Sequence, residues 1–193
     1  MIRVVTDSVV EPVSISEIAQ HLNIDTDVLT AKTPYLEMLQ VAARQYIEAE
    51  AHISLTTQTI EETIEPHLYP SGAVFALQKL PLIAITKVEV YDKDENEWYE
   101  HTIVGGSITI ERSIYPNRIT IHDLSLDVPT HIKVTYTAGY GATADDVPAL
   151  IKWTILSLIS YMDQHKALSD PNAMKTLLQW IAPYRNHYQR VRT

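Results

Sequence analysis

The chain has 193 residues, 46% hydrophobic and 20% charged, with a formal net charge of −9 and no cysteine. That balance is that of a folded chain with a core of its own, one medium domain or a domain carrying an insertion, and it excludes disordered and fibrous classes. Without cysteine there are no disulfides, thiolate zinc sites or cysteine nucleophiles, and the acidic balance argues against a protein that wraps nucleic acid, because phosphate contacts draw on clustered Lys and Arg.

The opening MIRVVTDSVVEP lacks the apolar run and small-residue cleavage site of a secretory signal, so this segment is expected to be retained. In the first helix, about Ile15 to His21, a capping box pairs Ser14 with Glu17, and Ile15, Ile18, Ala19 and Leu22 share one face. Thr33 followed by Pro34 reads as an N-cap with proline at the first helical position, which starts a second helix running to about His52. Leu36, Leu39, Ala43, Tyr46, Ile47 and Ala51 recur along it at helical spacing.

From Leu55 the period changes. Strands are predicted at Thr56 to Ile64, Ala73 to Gln78, Ile85 to Tyr91, Trp98 to Thr102, Ser107 to Glu111, Arg118 to His122 and Ile132 to Thr137. The breaks carry turn chemistry: DKDENE at 92–97, Gly105 with Gly106, and YPN at 115–117. With no crossover helices between them, these strands predict an antiparallel sandwich or barrel. Helical spacing returns after TAGYGA, with Asp145 or Asp146 as cap, Pro148 in the first turn and a broad apolar face from Val147 to Met162. Lys152, Thr154, Ser157 and Ser160 interrupt that run, which falls short of the roughly 20 apolar residues of a membrane helix. A last helix is predicted over about Ala173 to Ile181, ahead of a basic tail. The fold class is α+β: a helical bundle from residues 1–54 and 145–193, with an inserted antiparallel β domain at 55–144.

Catalytic and metal motifs are missing. The eight histidines are scattered, with no H-x-H or H-E-x-x-H pair. Asp92, Asp94 and Asn96 begin like a calcium loop, but Glu97 stands where glycine is needed and Ile103 where a bidentate acid belongs, so a hairpin turn is the better reading. Neither a nucleotide fingerprint nor a nucleophile elbow accompanies the glycines. No cofactor and no metal are expected. Glu61 and Glu62 read as solvated charge, since strand neighbours point to opposite faces. Tyr91, Trp98, Tyr99, Tyr136 and Tyr140 fall in the β region and could form a sugar-stacking platform, with core packing or subunit contact the favoured alternative. Trp153, Trp180 and Tyr184 read as interhelical anchors or subunit contacts.

Three separated segments carry a more specific pattern. EPVSISEIAQHLNID, at 11–25, resembles the opening of the phage head-tail connector family, commonly E-P-V-[ST]-L-x-E. TTQT, opening the segment Thr56 to Glu65, is similar to that family's T-x-[QT]-T strand, and LQKLPLIAITKVEVYD from Leu77 to its proline-rich stretch. YTAGYG followed by VPALIKWTILSLISYM resembles the family's Y-x-A-G-[YF]-[GT] and V-P-x-x-[IL]-[KR], and IAPYR its closing segment. The order is that of the family. Departures are the missing glycine at the end of the second helix and a region, 92–127, that matches only in character.

The resemblance implies a non-enzymatic virion protein: an adaptor closing as a ring, a dodecamer, beneath the portal protein, extending the DNA channel without sequence-specific binding and receiving a tail-side neck or terminator protein. Assembly in the host cytoplasm, a place in the virion neck and no membrane partner go with it. An acidic surface suits DNA that passes without adhering. A closed ring needs two different faces on each copy; Tyr46, Trp98, Tyr140, Trp153 and Trp180 are the candidate interface residues, and Arg185, His187, Tyr188, Arg190 and Arg192 a candidate portal-binding arm. The alternatives are a head-completion or tail-joining protein one layer away, a carbohydrate-binding β module and, last, an enzyme.

Overall fold

The computed structural model describes residues 1–69, 72–111, 118–122, 131–165 and 171–185. They divide into two compact units, one from residues 1–7 and 58–139 and the other from 8–57 and 140–185.

The second of these is helical. Helix α1 (Ile15–His21) opens on the capping box read from the sequence: Ser14 Oγ accepts from the Glu17 amide at 3.2 Å, and the Glu17 carboxylate accepts from the Ser14 amide at 2.6 Å. Helix α2 (Thr26–Ala51) starts one turn and more before the expected Thr33, with Asp25 at its N-cap position. Its first turns are built from residues that tolerate helix, including Leu29, Ala31 and Lys32, and Asp27 complements the macrodipole. Thr33 is therefore no cap: its hydroxyl donates to the Leu29 carbonyl at 3.0 Å, and Pro34 sits inside the helix, unable to donate to the carbonyl of residue 30. At the other end His52 takes the left-handed conformation (φ 54°) and donates its amide to the Glu48 carbonyl, filling the position where a glycine is usual. A 3₁₀ turn (Ala144–Asp146) precedes α3 (Ala149–His165); Asp146 lies in that turn and accepts from Thr143, so it caps the turn and not the helix. Helix α4 (Pro171–Trp180) and a 3₁₀ turn at Ala182–Tyr184 follow. Val13, Ile18, Leu36, Ala43, Ile47, Ile151, Ile155 and Ile159 make one core from both ends of the chain.

The other unit is a two-sheet sandwich. Its strands are β1 (Ile2–Thr6), β2 (Gln58–Ile64), β3 (His67–Tyr69), β4 (Gly72–Ala76), β5 (Leu82–Asp92), β6 (Glu97–Glu100), β7 (Ile108–Glu111), β8 (Arg118–Ile121) and β9 (Ile132–Ala138). One sheet has the order β1-β2-β9-β5-β6, the other β3-β4-β8-β7, with every pairing antiparallel. Ile60 and Ile64 of β2, Val88 of β5 and Val134 of β9 meet Phe75 of β4 and Ile119 and Ile121 of β8 in a shared core. The fold class is α+β with antiparallel sheets, as read from the sequence. Two strands, β1 and β3, lie outside that reading. Because β1 pairs with β2, residues 1–7 belong to the sandwich and not with the helices of 8–54, and the β part is not a single insertion.

Candidate interaction surfaces

In the helical unit, the segments that carried the sequence pattern are brought together by hydrogen bonds. Arg44, 3% exposed on α2, donates through Nε to both carboxylate oxygens of Glu11 at 3.1 and 3.0 Å, and through Nη1 to Glu48 at 3.2 Å. Glu48 in turn accepts the Leu55 amide at 2.9 Å. Gln40 donates to the Val13 carbonyl, and Thr56 Oγ1 to the Val10 carbonyl at 3.0 Å. Tyr140 donates its amide to the Leu55 carbonyl and Thr57 to the Gly141 carbonyl, at 3.1 and 3.0 Å. A Cβ on Gly141 would overlap the carboxylate of Asp146, which Thr143 holds through its amide and hydroxyl at 2.8 Å each. Those bonds hold the Asp146 carboxyl below its ordinary range, and the Ser14 amide does the same for Glu17. In this unit the pattern is thus a scaffold for the helices, with its polar groups spent on one another, while the segment from Leu77 leads into β5 of the sandwich.

The candidate interface residues sit on separate elements. Tyr46 on α2 is half-buried against the helical core, and burial, with the Glu50 charge, pushes its phenol up. Tyr140, in the helical unit and not the β region, packs edge-on to Tyr184 at 6.4 Å. Trp153 on α3 is 52% exposed and meets the edge of His21 at 5.4 Å; Trp180 on α4 is 39% exposed. Trp153 thus touches α1 through His21, and both tryptophans leave ring surface outward. Arg185 donates to the Glu50 carbonyl at 3.0 Å, which ties this residue to the end of α2. The other arm residues, His187, Tyr188, Arg190 and Arg192, lie outside the described residues.

In the sandwich, the face of β6, β5 and β9 turned away from the core holds Trp98 beside Tyr91 (ring centroids 5.1 Å apart), with the Lys133 ammonium 4.3 Å from the Trp98 ring. Glu89 bridges Lys133 and Lys87 at 3.5 and 3.2 Å, and Lys87 also reaches Glu100 at 3.5 Å. This is a charged lattice, not an aromatic platform, and Tyr136 is absent from it because its strand position points inward, where it is fully buried. The turn at 93–96 is a hairpin: Asp92 accepts from the amides of Asp94 and Glu95, and Asn96 is left-handed (φ 59°). Glu62 reverses the reading as solvated charge, being fully buried in the β2 face that carries Ile60 and Ile64. Among the described residues there is no group of three His, Asp or Glu side chains placed to hold a metal.

Sequence reasoning missed the exposed Met38 on α2 and Leu150 on α3, because apolar residues next to a helical core stripe read as part of it. An i, i+3 or i+4 count continued round the outer face is the signal that finds them.

No protein-family model and no curated protein matches the chain. Solved structures do. A chain of the virion of the native gene transfer agent (GTA) particle is similar at a TM-score of 0.69 and 18% identity, over 93% of this chain and 94% of that one. A chain in the neck of the empty GTA particle, computed with C6 symmetry, gives 0.67 at 18% identity, and one in the neck of the native particle, computed with C12 symmetry, 0.63 at 17%, both with the same coverage. The likeness is one of fold, and it runs through both the helices and the sandwich.

Proposed function

We propose that this chain is a structural protein of the neck of a tailed bacteriophage or phage-like particle, and within the neck the head-to-tail adaptor. The observation that carries the reading is the agreement in fold over 93% of this chain with chains of a particle neck. The connector-like segments add to it, since those at 11–25, 56–57 and 140–162 pack or bond within the helical unit and that from Leu77 supplies β5 and core residues of the sandwich. In this reading twelve copies form a ring beneath the portal protein, in keeping with the C12 symmetry of one such neck. The bore of the ring continues the DNA channel, a tail-side neck protein docks below, and assembly takes place in the host cytoplasm. The net charge of −9 favours passage of DNA without adhesion. The role is architectural, and the chain's buried polar groups serve packing.

The test is a phage in which this chain is deleted. Heads and tails that accumulate unjoined, and join when the purified protein is added back, are the expected result. Normal joined virions in electron micrographs would overturn the proposal.

A further inference from the structure

The ring reading, on which this inference rests, requires two different faces on each copy, and the helical unit has two such faces. On α2, the residues turned away from the core include Ala31, Pro34, Met38, Gln45 and Ala49, spaced by three, four or their sum, and exposed along the helix. Met38, at its centre, is 59% exposed. On α3, the outward positions are Leu150, Trp153, Ser157 and Gln164, with Leu150 41% and Trp153 52% exposed. From Ala31 to Ala49 and from Leu150 to Gln164 neither row contains an ionisable side chain; Asp27 ends the uncharged stretch one turn before Ala31. In a chain of net charge −9, whose copies repel one another, two uncharged helix faces mark where copies can approach. Loss of charge at the centre of a patch, with Trp and Met enriched, is also the compositional signature of an interface core.

The two faces differ in relief. The α2 row is low, made of alanines and proline around one flexible methionine side chain, which adapts to the surface it meets. The α3 row carries a protruding knob, Trp153, held by the edge of His21 at 5.4 Å. The geometry points to a heterologous contact between copies of this chain, in which Trp153 and Leu150 on α3 of one copy seat on the Met38 face of α2 of the next. Trp153 is then the anchor, a wide rigid side chain with little entropy to lose on burial.

The absence of cysteine makes the test direct. Full-length protein carrying Met38→Cys or Gln45→Cys is mixed with protein carrying Ser157→Cys, on portal-bearing heads lacking tails, and treated with a short bis-maleimide. The expected result is a cross-linked dimer in the mixtures and none from either protein alone; a chain carrying both changes gives a ladder up to a closed ring. Trp153→Glu is expected to abolish ring assembly while leaving circular dichroism and Tm unchanged. Rings that assemble without the mixed cross-link, or that form normally with Trp153→Glu, overturn this contact and leave the adaptor reading standing. A protein that forms no ring on heads overturns both.

Discussion

The phenolic hydroxyl of Tyr136 on β9 donates to the carboxylate of Glu62 on β2 across 3.0 Å, and both side chains are buried in the sandwich. The same carboxylate oxygen accepts the Gln78 amide at 3.1 Å, the Tyr136 oxygen accepts the Lys79 amide at 3.3 Å, and the second Glu62 oxygen has no hydrogen-bond partner. Tyr136→Phe removes the donor to Glu62 and the acceptor for Lys79 together. We expect it to cost about 1–3 kcal/mol, read by urea unfolding.

The acid–base consequence of that pair has a definite sign. Burial pushes the Glu62 carboxyl up from its ordinary 4.5, and the bonds from Gln78 and Tyr136 offset part of the rise. A carboxyl raised in the folded state keeps its proton at a pH where the unfolded chain has released it. Its contribution to stability is therefore full below the ordinary value and is lost as pH climbs through the folded one. Glu62→Gln should flatten this part of the stability–pH curve, whereas Tyr136→Phe should steepen it. Parallel curves for wild type and Glu62→Gln would contradict this account.

Arg44→Met strands Glu48, a buried acid, and releases Glu11 from its two-pronged bond. Removing one partner of a buried ion pair costs about 3–5 kcal/mol, and Arg44→Lys should recover part of this, because an ammonium lacks the planar fork. Chemical denaturation distinguishes the three proteins. Protection of the amides of residues 10–14 from hydrogen exchange should fall in the same order.

Pro34 lies in the interior of α2 and withholds one helical hydrogen bond. Pro34→Ala is expected to raise stability, by up to about 3 kcal/mol on the helix scale. A lower Tm for this variant would mean that the proline makes a contact that outweighs the bond it removes.

Gly141→Ala places a methyl on the Asp146 carboxylate and dislodges it from Thr143. The expected outcome is a Tm lower by a few degrees, with the drop largely abolished in an Asp146→Gly background, since both the cap and the Asp146 Cβ that the methyl would meet are then gone. An undiminished drop in the double variant would show that the backbone at Gly141, and not the cap, is what the methyl disturbs.

The helices and most strands were legible because their apolar periods are unbroken: Leu36, Leu39, Ala43 and Ile47 on α2, and Ile132, Val134 and Tyr136 on β9. The start of α2 was hidden by Thr33 and Pro34, a sound cap signal in isolation that is overridden when the preceding turn is itself helical. Strand β1 was missed although Val4 and Val5 are good strand formers, because five residues show their pairing only when the distant β2 is known. Glu62 shows the reverse. Its place between Ile60 and Ile64 in a two-residue repeat was visible, yet its charge suggested solvent, and only Tyr136 and Gln78, far along the chain, explain how it is held inside. The interface candidates were readable as residue types, whereas their outward direction needed the packed helices.

The order of the two units along the chain also bears on synthesis. The backbone passes from one to the other at 7/8, 57/58 and 139/140. Helices α1 and α2 leave the ribosome early, but the core they enclose is completed by Ile151, Ile155 and Ile159, made only after the whole sandwich. The nascent sandwich can close on itself while the first two helices wait with an open apolar side, a long-range closure of the kind that slows folding. Truncation between the end of β9 and the start of α3 should therefore yield a closed sandwich tethered to a sticky, chaperone-seeking pair of helices, and ribosome-bound intermediates of this length are where misassembly would begin.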